Sequence, residues 1–202
     1  ISNTLLISEK CSFDLASGLG YKLPNYNTPE GYTSLTYLWE LCVRAGLRRY
    51  GNLSYGVKKR LKEEFRLIEK HNLAGFLLIY HEIVGMAKEI MDRLGLSDPE
   101  IPIEERPPGR GRGSSVALLV GYLLGLSHID PIRYNLSLER FLPEDRMNLA
   151  LDIDLDFPRN IREELILEVH KRWGWERASL VSMRSTYQIN GAVRDLGKAF
   201  SI

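Results

Sequence analysis

The 202 residues carry 44% hydrophobic and 26% charged side chains, a globular balance that excludes disordered, collagenous and low-complexity classes. A chain of this length buries roughly 70% of its unfolded surface, enough for a proper core in one large domain or two small ones. The net charge of +1 sets up no global basic field, so any anion-binding surface must be local.

The N-terminal residues Ile1-Ser2-Asn3 offer neither an initiator Met nor a signal-peptide pattern, so the sequence reads as an excised piece. Gly18 to Tyr32 has the Gly, Pro, Asn and Tyr content of turns and extended chain and reads as a linker. From Ser34, a candidate N-cap, Leu35, Leu38, Cys42 and Ala45 recur at helical spacing, with Arg48 and Arg49 in the last turn. A second helix begins near Tyr55, with Val57, Leu61, Phe65 and Ile68 as its apolar stripe and Lys58, Lys59, Lys62 and Glu63 on a solvated face. A third runs from about Tyr80 to Leu94 with Ile83, Met86, Ile90 and Leu94 in phase, before the Pro- and Gly-rich loop Gly95 to Gly113.

A helix over Ser114 to Leu126, a turn at Asp130-Pro131, a segment Leu136 to Leu142 and an alternating strand Leu149 to Phe157 follow. Val116 to Leu126, the longest apolar stretch, is broken by Gly121 and Gly125 and falls short of the about 20 residues that span a bilayer. It predicts a buried helix and no membrane partner. A helix from Asn160 lines Ile161, Leu165, Val169 and Trp173 on one face, with Asn160 and Glu163 as a capping pair. A strand-like stretch Ala178 to Met183 and a helix Ser185 to Phe200 complete the order, without internal repeats. Two cysteines, Cys11 and Cys42, and four scattered histidines exclude a disulfide scaffold and a zinc-ligand spacing, and suit a reduced cytoplasm.

Strict alternation in Leu151-Asp152-Ile153-Asp154-Leu155-Asp156-Phe157 puts three carboxylates on one strand face and the apolar side chains on the other. Same-face neighbours about 7 Å apart repel by roughly 2 kcal/mol at an effective dielectric near 20, and Asp is a poor strand former. A divalent cation would offset both, because Mg²⁺ takes one or two carboxylates and keeps waters and substrate phosphates in its other positions. The plain alternative is a solvent-facing edge strand whose acids discourage edge pairing. A calcium loop fails, because Phe157 stands where that loop requires Gly, Pro158 follows, and the interior of the stretch is hydrophobic.

Pro107-Pro108-Gly109-Arg110-Gly111-Arg112-Gly113-Ser114-Ser115 leads straight into the apolar helix. Glycine-permitted backbone, hydroxyls and two arginines then converge on a helix N-terminus, an anion site through its free amides and dipole. It lacks the Gly-Lys-Ser/Thr of a P-loop and the full dinucleotide fingerprint, and taken alone it is equally a flexible, serine-capped loop. Joined to a carboxylate strand it points to nucleotide chemistry, where two metal ions about 3.5–4 Å apart activate a hydroxyl and stabilise the leaving oxygen.

Five ordered motifs carry a family resemblance: Arg112-Gly113-Ser114-Ser115, Gly125-Leu126-Ser127-His128-Ile129-Asp130-Pro131, Leu138-Glu139-Arg140-Phe141-Leu142, Asp152 to Phe157, and Arg194-Asp195-Leu196-Gly197-Lys198. In that order they resemble the palm of bacterial C-family DNA polymerases, the DNA polymerase III alpha subunits, replicative or error-prone. The resemblance extends over nearly the whole chain and implies an α/β (α+β) fold, a polymerase-beta-like nucleotidyltransferase palm with a mixed sheet backed by helices. It divides the chain into 1–30, the end of the N-terminal polymerase-and-histidinol-phosphatase domain with its linker, 31–175, the palm, and 176–202, the start of the thumb.

The resemblance further implies template-directed DNA synthesis from deoxynucleoside triphosphates. Asp152 and Asp154 match the first two catalytic aspartates, which hold two Mg²⁺ ions with Mn²⁺ able to substitute, and Asp156 is a supporting acid. Gly113 and Ser114 match the turn that holds the triphosphate, with Arg112 beside them. Arg184, Arg194 and Lys198 would meet primer-template phosphates in a salt-dependent, sequence-independent way, or serve as ordinary solvated charges. The family's third catalytic Asp lies beyond Ile202, which predicts that the fragment alone is inactive. Sliding-clamp and replisome partners would bind through parts absent here, in the bacterial cytoplasm. Leu151 replaces the Pro that usually precedes the first Asp, and the loop Asp92 to Pro108 is longer than usual; neither changes a proposed ligand. The rival reading is a non-catalytic DNA-binding or assembly module on a retained palm scaffold, and a third is untemplated nucleotide addition.

Overall fold

A computed structural model describes residues 2–12, 23–139, 141–144, 152–181 and 186–201. These divide into two compact units, residues 1–168 and 169–202. The first begins with α1 (Ser2–Lys10), which buries none of its residues, and is built around α2 (Ser34–Tyr50), α3 (Tyr55–Lys70), α4 (Ala74–Arg93) and the short α5 (Leu119–Leu123). β1 (Arg110–Arg112) pairs with β2 (Asp154–Asp156) in a two-stranded antiparallel sheet, and α6 (Arg162–Trp173) follows a 3-10 turn at Arg159–Ile161. The class is therefore mixed but mostly helical, and the sheet among the described residues is an antiparallel pair where a mixed sheet is expected.

The helices form where the sequence supplies both an apolar stripe and a start signal. Thr33, one residue before the expected Ser34, caps α2: its hydroxyl accepts from the Thr36 amide at 3.2 Å while the Thr33 amide donates to the Thr36 hydroxyl at 2.9 Å. Ser54 caps α3 through the Val57 amide. The predicted stripes are buried at Leu38, Cys42 and Ala45 on α2 and at Val57, Leu61, Phe65 and Ile68 on α3. α4 departs from expectation. It begins at Ala74 and buries Leu77, Leu78, Val84, Ala87 and Ile90, leaving Leu94 exposed. Its N-cap is Leu73, which makes no side-chain cap bond, so no local signal marks the start. α5 packs against α2 and α3, and α2 also packs against α4, which encloses a core centred on Leu38, Leu61, Ile68, Leu78, Leu119 and Leu123.

The predicted helix over Ser114 to Leu126 is interrupted. Gly113–Ala117 is a 3-10 turn, Leu118 is extended (φ −76°, ψ 125°), and α5 begins afresh at Leu119. Its C-terminus is closed by Gly125 at φ +76°, with the Leu126 amide donating back to the Gly121 carbonyl at 2.8 Å. Ahead of residues 145–151, which lie outside the described set, Arg66 and Lys70 on α3 hold the Glu144 carboxyl down to about 2.

His81 on α4 donates its Nδ1 proton to the Leu124 carbonyl at 2.9 Å, tying α4 to the end of α5. Burial lowers its pKa, against the raising effects of that hydrogen bond and of Glu104. The unfolded chain therefore binds more protons than the folded one between the depressed value and about 6.5, and stability is lost as pH falls through that window. Thermal melts of the wild type should decline on acidification below pH about 6.5. His81→Gln keeps a donor for Leu124 and should flatten this slope; a slope equal to that of the wild type would assign it to another group.

The second unit contains the end of α6 and α7 (Ile189–Phe200), whose Ile189, Val193, Leu196 and Phe200 are exposed. The predicted strand from Ala178 has no regular structure over 178–181, and 182–185 lie outside the described residues.

Candidate nucleotide and metal site

Two stretches distant in sequence build the site. In the register of β1 on β2, Arg110 stands opposite Asp156, Gly111 opposite Leu155 and Arg112 opposite Asp154. Directly opposed residues share a face, so two arginines meet two aspartates on one side of the sheet. Arg112 Nε lies 2.9 Å from Asp156 Oδ2 and its Nη2 lies 4.0 Å from Asp154 Oδ1. The alternation of 152–157 holds: Asp152, Asp154 and Asp156 are exposed, Ile153 is buried and Leu155 and Phe157 are half-buried. The carboxylate repulsion that the sequence assigns to a cation is thus partly offset by the protein's own arginines. Asp152 lies outside the paired segment, with no arginine in register.

Backbone approaches that only glycine allows put β1 there. A Cβ on Gly111 would collide with the Leu126 carbonyl oxygen, and one on Gly109 would come within 2.8 Å of both the Asp156 carbonyl oxygen and the Phe157 ring. His128 Nε2 donates to the Gly109 carbonyl at 2.7 Å, which gives this histidine a bracing role. Past β1, Gly113 turns the chain at φ +70°. The Ser115 hydroxyl donates to the Arg112 carbonyl at 2.8 Å, and Ser114 stays exposed.

Two features escape sequence reasoning. The first is Tyr80 on α4. Its pKa is raised by burial and by the Asp152 and Asp154 carboxylates, against a hydrogen bond from the Ile153 backbone, so its hydroxyl sits beside the carboxylate strand. The second is Glu64 on α3, fully buried, whose two oxygens accept from the Leu119 and Val120 amides at 2.8 Å each. Burial raises its pKa, against Arg60 and those two amides. The helix N-terminus that the sequence offers to phosphate is therefore already capped by a side chain of the protein. Glu64 stands seven residues after Val57 and three after Leu61, inside the apolar stripe, and a carboxylate there with Arg four residues earlier is a readable signal.

Of the expected backbone-binding residues, Arg194 and Lys198 are exposed one turn apart on α7, with Arg194 Nε 3.5 Å from Asp195 Oδ1. Arg184 lies outside the described residues.

Residues 36–202 match the family model described as the bacterial DNA polymerase III alpha NTPase domain. The chain belongs to that family. It is 34% identical over 203 residues to DNA polymerase III subunit alpha of Halalkalibacterium halodurans, a match covering all of this chain and 17% of the relative. It is 35% identical over 203 residues to the error-prone DNA polymerase of Pseudomonas aeruginosa, covering all of this chain and 18% of the relative. Against DNA polymerase III subunit alpha of Bacillus subtilis the identity is 30% over 196 residues, covering 97% of this chain and 16% of the relative. The chain thus spans less than a fifth of the length of these relatives.

For this member of the polymerase III alpha family, the chemistry of the carboxylate donors can be compared with what a cation needs. Asp154 is an exposed oxygen donor on β2 and Asp152 an exposed one just ahead of it, and among the described residues no group of three or more His, Cys, Asp or Glu side chains is placed to hold a metal ion. Two hard carboxylates with open surroundings suit Mg²⁺, which keeps several waters and binds substrate phosphates, and do not suit a buried, fully protein-ligated ion. No helix among the described residues is long and apolar enough to cross a membrane.

Proposed function

We propose that this chain is part of a template-directed DNA polymerase that transfers a deoxynucleotide from a deoxynucleoside triphosphate to a primer 3′-hydroxyl. The observation that carries this reading is the register of β1 on β2, which sets Arg112 across from Asp154 and starts the Gly113-Ser114 turn at the carboxylate strand. Asp152 and Asp154 hold two Mg²⁺ ions, for which Mn²⁺ substitutes. When bound, the ions stabilise charge on the attacking and leaving oxygens. Arg112, Gly113 and Ser114 orient the triphosphate, and Asp156 keeps Arg112 aimed along the strand. Arg184, Arg194 and Lys198 meet primer-template phosphates. In this reading residues 31–175 are a polymerase-beta-like palm, 1–30 end a polymerase-and-histidinol-phosphatase domain, and 176–202 begin the thumb. A third carboxylate comes from elsewhere in the longer polypeptide, as do the contacts to clamp and replisome, in the bacterial cytoplasm. The family membership and the names of the relatives support the polymerase class.

Primer extension by the longer polypeptide tests this. Synthesis should require template, stop with EDTA and return with Mg²⁺ or Mn²⁺. DNA binding without synthesis under every condition would favour a non-catalytic module, and nucleotide addition without template would favour an untemplated transferase.

A further inference from the structure

We infer that Glu64 and Arg60 are positioning residues for the nucleotide-binding turn, an inference that rests on the polymerase reading above. Neither touches the turn's exposed face. Arg60 Nε donates to Glu64 Oε1 at 2.7 Å, its Nη2 to the Ala117 carbonyl at 2.8 Å and its Nη1 to the Leu136 carbonyl at 3.1 Å. Glu64 in turn accepts the Leu119 and Val120 amides. The pair therefore grips the chain on both sides of extended Leu118, where the 3-10 turn ends and α5 begins. From Ala117 the fixed links run back through the 3-10 turn to Ser115, whose hydroxyl holds the Arg112 carbonyl. The placement of Arg112, Gly113 and Ser114 against the core is set through this chain of bonds.

An apolar pair at 60 and 64 would fill the space but leave two amides and a carbonyl of a buried turn unpartnered. A carboxylate and a guanidinium satisfy all of them and fix a single geometry. Catalytic groups misplaced by about 1 Å can lose two orders of magnitude in rate, so a turn that binds phosphate requires such fixing. Glu64 also keeps the α5 N-terminus from serving as a phosphate site, because its carboxylate already occupies those amides. The nucleotide is left to the exposed turn and to Arg112.

Glu64→Gln offers one acceptor oxygen to two amides and removes the ionic partner of Arg60. In the longer polypeptide it should raise the dNTP KM about tenfold, with kcat at saturating nucleotide within about threefold and primer-template affinity within about twofold. Arg60→Lys keeps the charge pair but loses the fork to the two carbonyls, and should raise KM about threefold. A merely structural role would lower kcat in proportion to the folded fraction and leave KM alone; that outcome in either folded variant overturns the inference. Hydrogen exchange on the wild type tests it without mutation. Peptides spanning Leu119 and Val120 should be as protected as core peptides before nucleotide is added, and fast exchange that slows only with dNTP would show that the turn is not preset. Asp152→Asn in the same assays separates the two readings. If the wild type makes no template-directed product the polymerase reading fails, and synthesis surviving in Asp152→Asn moves the metal site elsewhere, whereas normal loss there with unchanged KM in Glu64→Gln sinks only the positioning role.

Discussion

Replacing Asp152 or Asp154 with Asn in the longer polypeptide is expected to lower primer extension by about three orders of magnitude or more, equivalent to about 4 kcal/mol of lost transition-state stabilisation. Both side chains are exposed, and the longer Arg112 contact, 4.0 Å to Asp154, is a surface pair of little worth. Folding should therefore change by no more than about 0.5 kcal/mol, so the loss can be assigned to chemistry. Asp156 is the internal control. It holds Arg112 at 2.9 Å and is proposed to act through it, so Asp156→Asn should retain synthesis to within about tenfold, with the deficit in dNTP KM. Equal losses in all three variants would mean that the strand acts as one electrostatic unit without separate ligands. Synthesis surviving both Asp152→Asn and Asp154→Asn would place the metal site elsewhere.

What the sequence discloses here depends on whether the signal is local. Stripes at three-to-four spacing locate α2 and α3, because each depends on neighbours within one or two turns, although the cap of α2 is Thr33 and not the expected Ser34, and the Ser54 cap of α3 is read only in the structure. α4 begins without a cap after Asn72 at φ +54°, and it packs on α2, so its start is missed and its expected phase is buried at Ile90 but only half-buried at Ile83 and Met86. The carboxylate face is legible for the same local reason, since period-two alternation needs only the strand itself. Its partner is harder. Gly109-Arg110-Gly111-Arg112-Gly113 reads as a loop from composition, yet it alternates with the same period as the aspartates, small residues on one side and charges on the other. That pattern marks a strand whose glycine side lies against backbone, and only the pairing of distant segments reveals which strand it faces. The interruption between Ala117 and Leu119 likewise has non-local partners, bonded on its two sides by Arg60 and Glu64 more than fifty residues earlier.

Gly111→Ala carries the second large effect, and here stability and activity should fall together. The added methyl would run into the Leu126 carbonyl oxygen, with the Leu126 carbonyl carbon at 3.4 Å and Ser127 Cα at 3.8 Å behind it. All three are backbone atoms, so no side-chain rotation relieves the clash. Leu126 cannot retreat either, because its amide is bonded to the Gly121 carbonyl and Gly125 before it is set at φ +76° with Ile103 against it. β1 must therefore lift, at a cost of about 1–3 kcal/mol from overpacking, and Arg112 leaves its register with Asp154. Gly113→Ala makes the useful contrast. A Cβ there meets nothing within 4 Å, so its only cost is the left-handed backbone at φ +70°, about 1–2 kcal/mol. Asn, which tolerates that conformation, should recover part of it. Melting curves should accordingly rank wild type, Gly113→Asn, Gly113→Ala and Gly111→Ala in falling order of stability. A Gly111→Ala protein as stable and active as wild type would show that β1 is not held against the Leu126 backbone, and that the arginine–aspartate register does not depend on that contact.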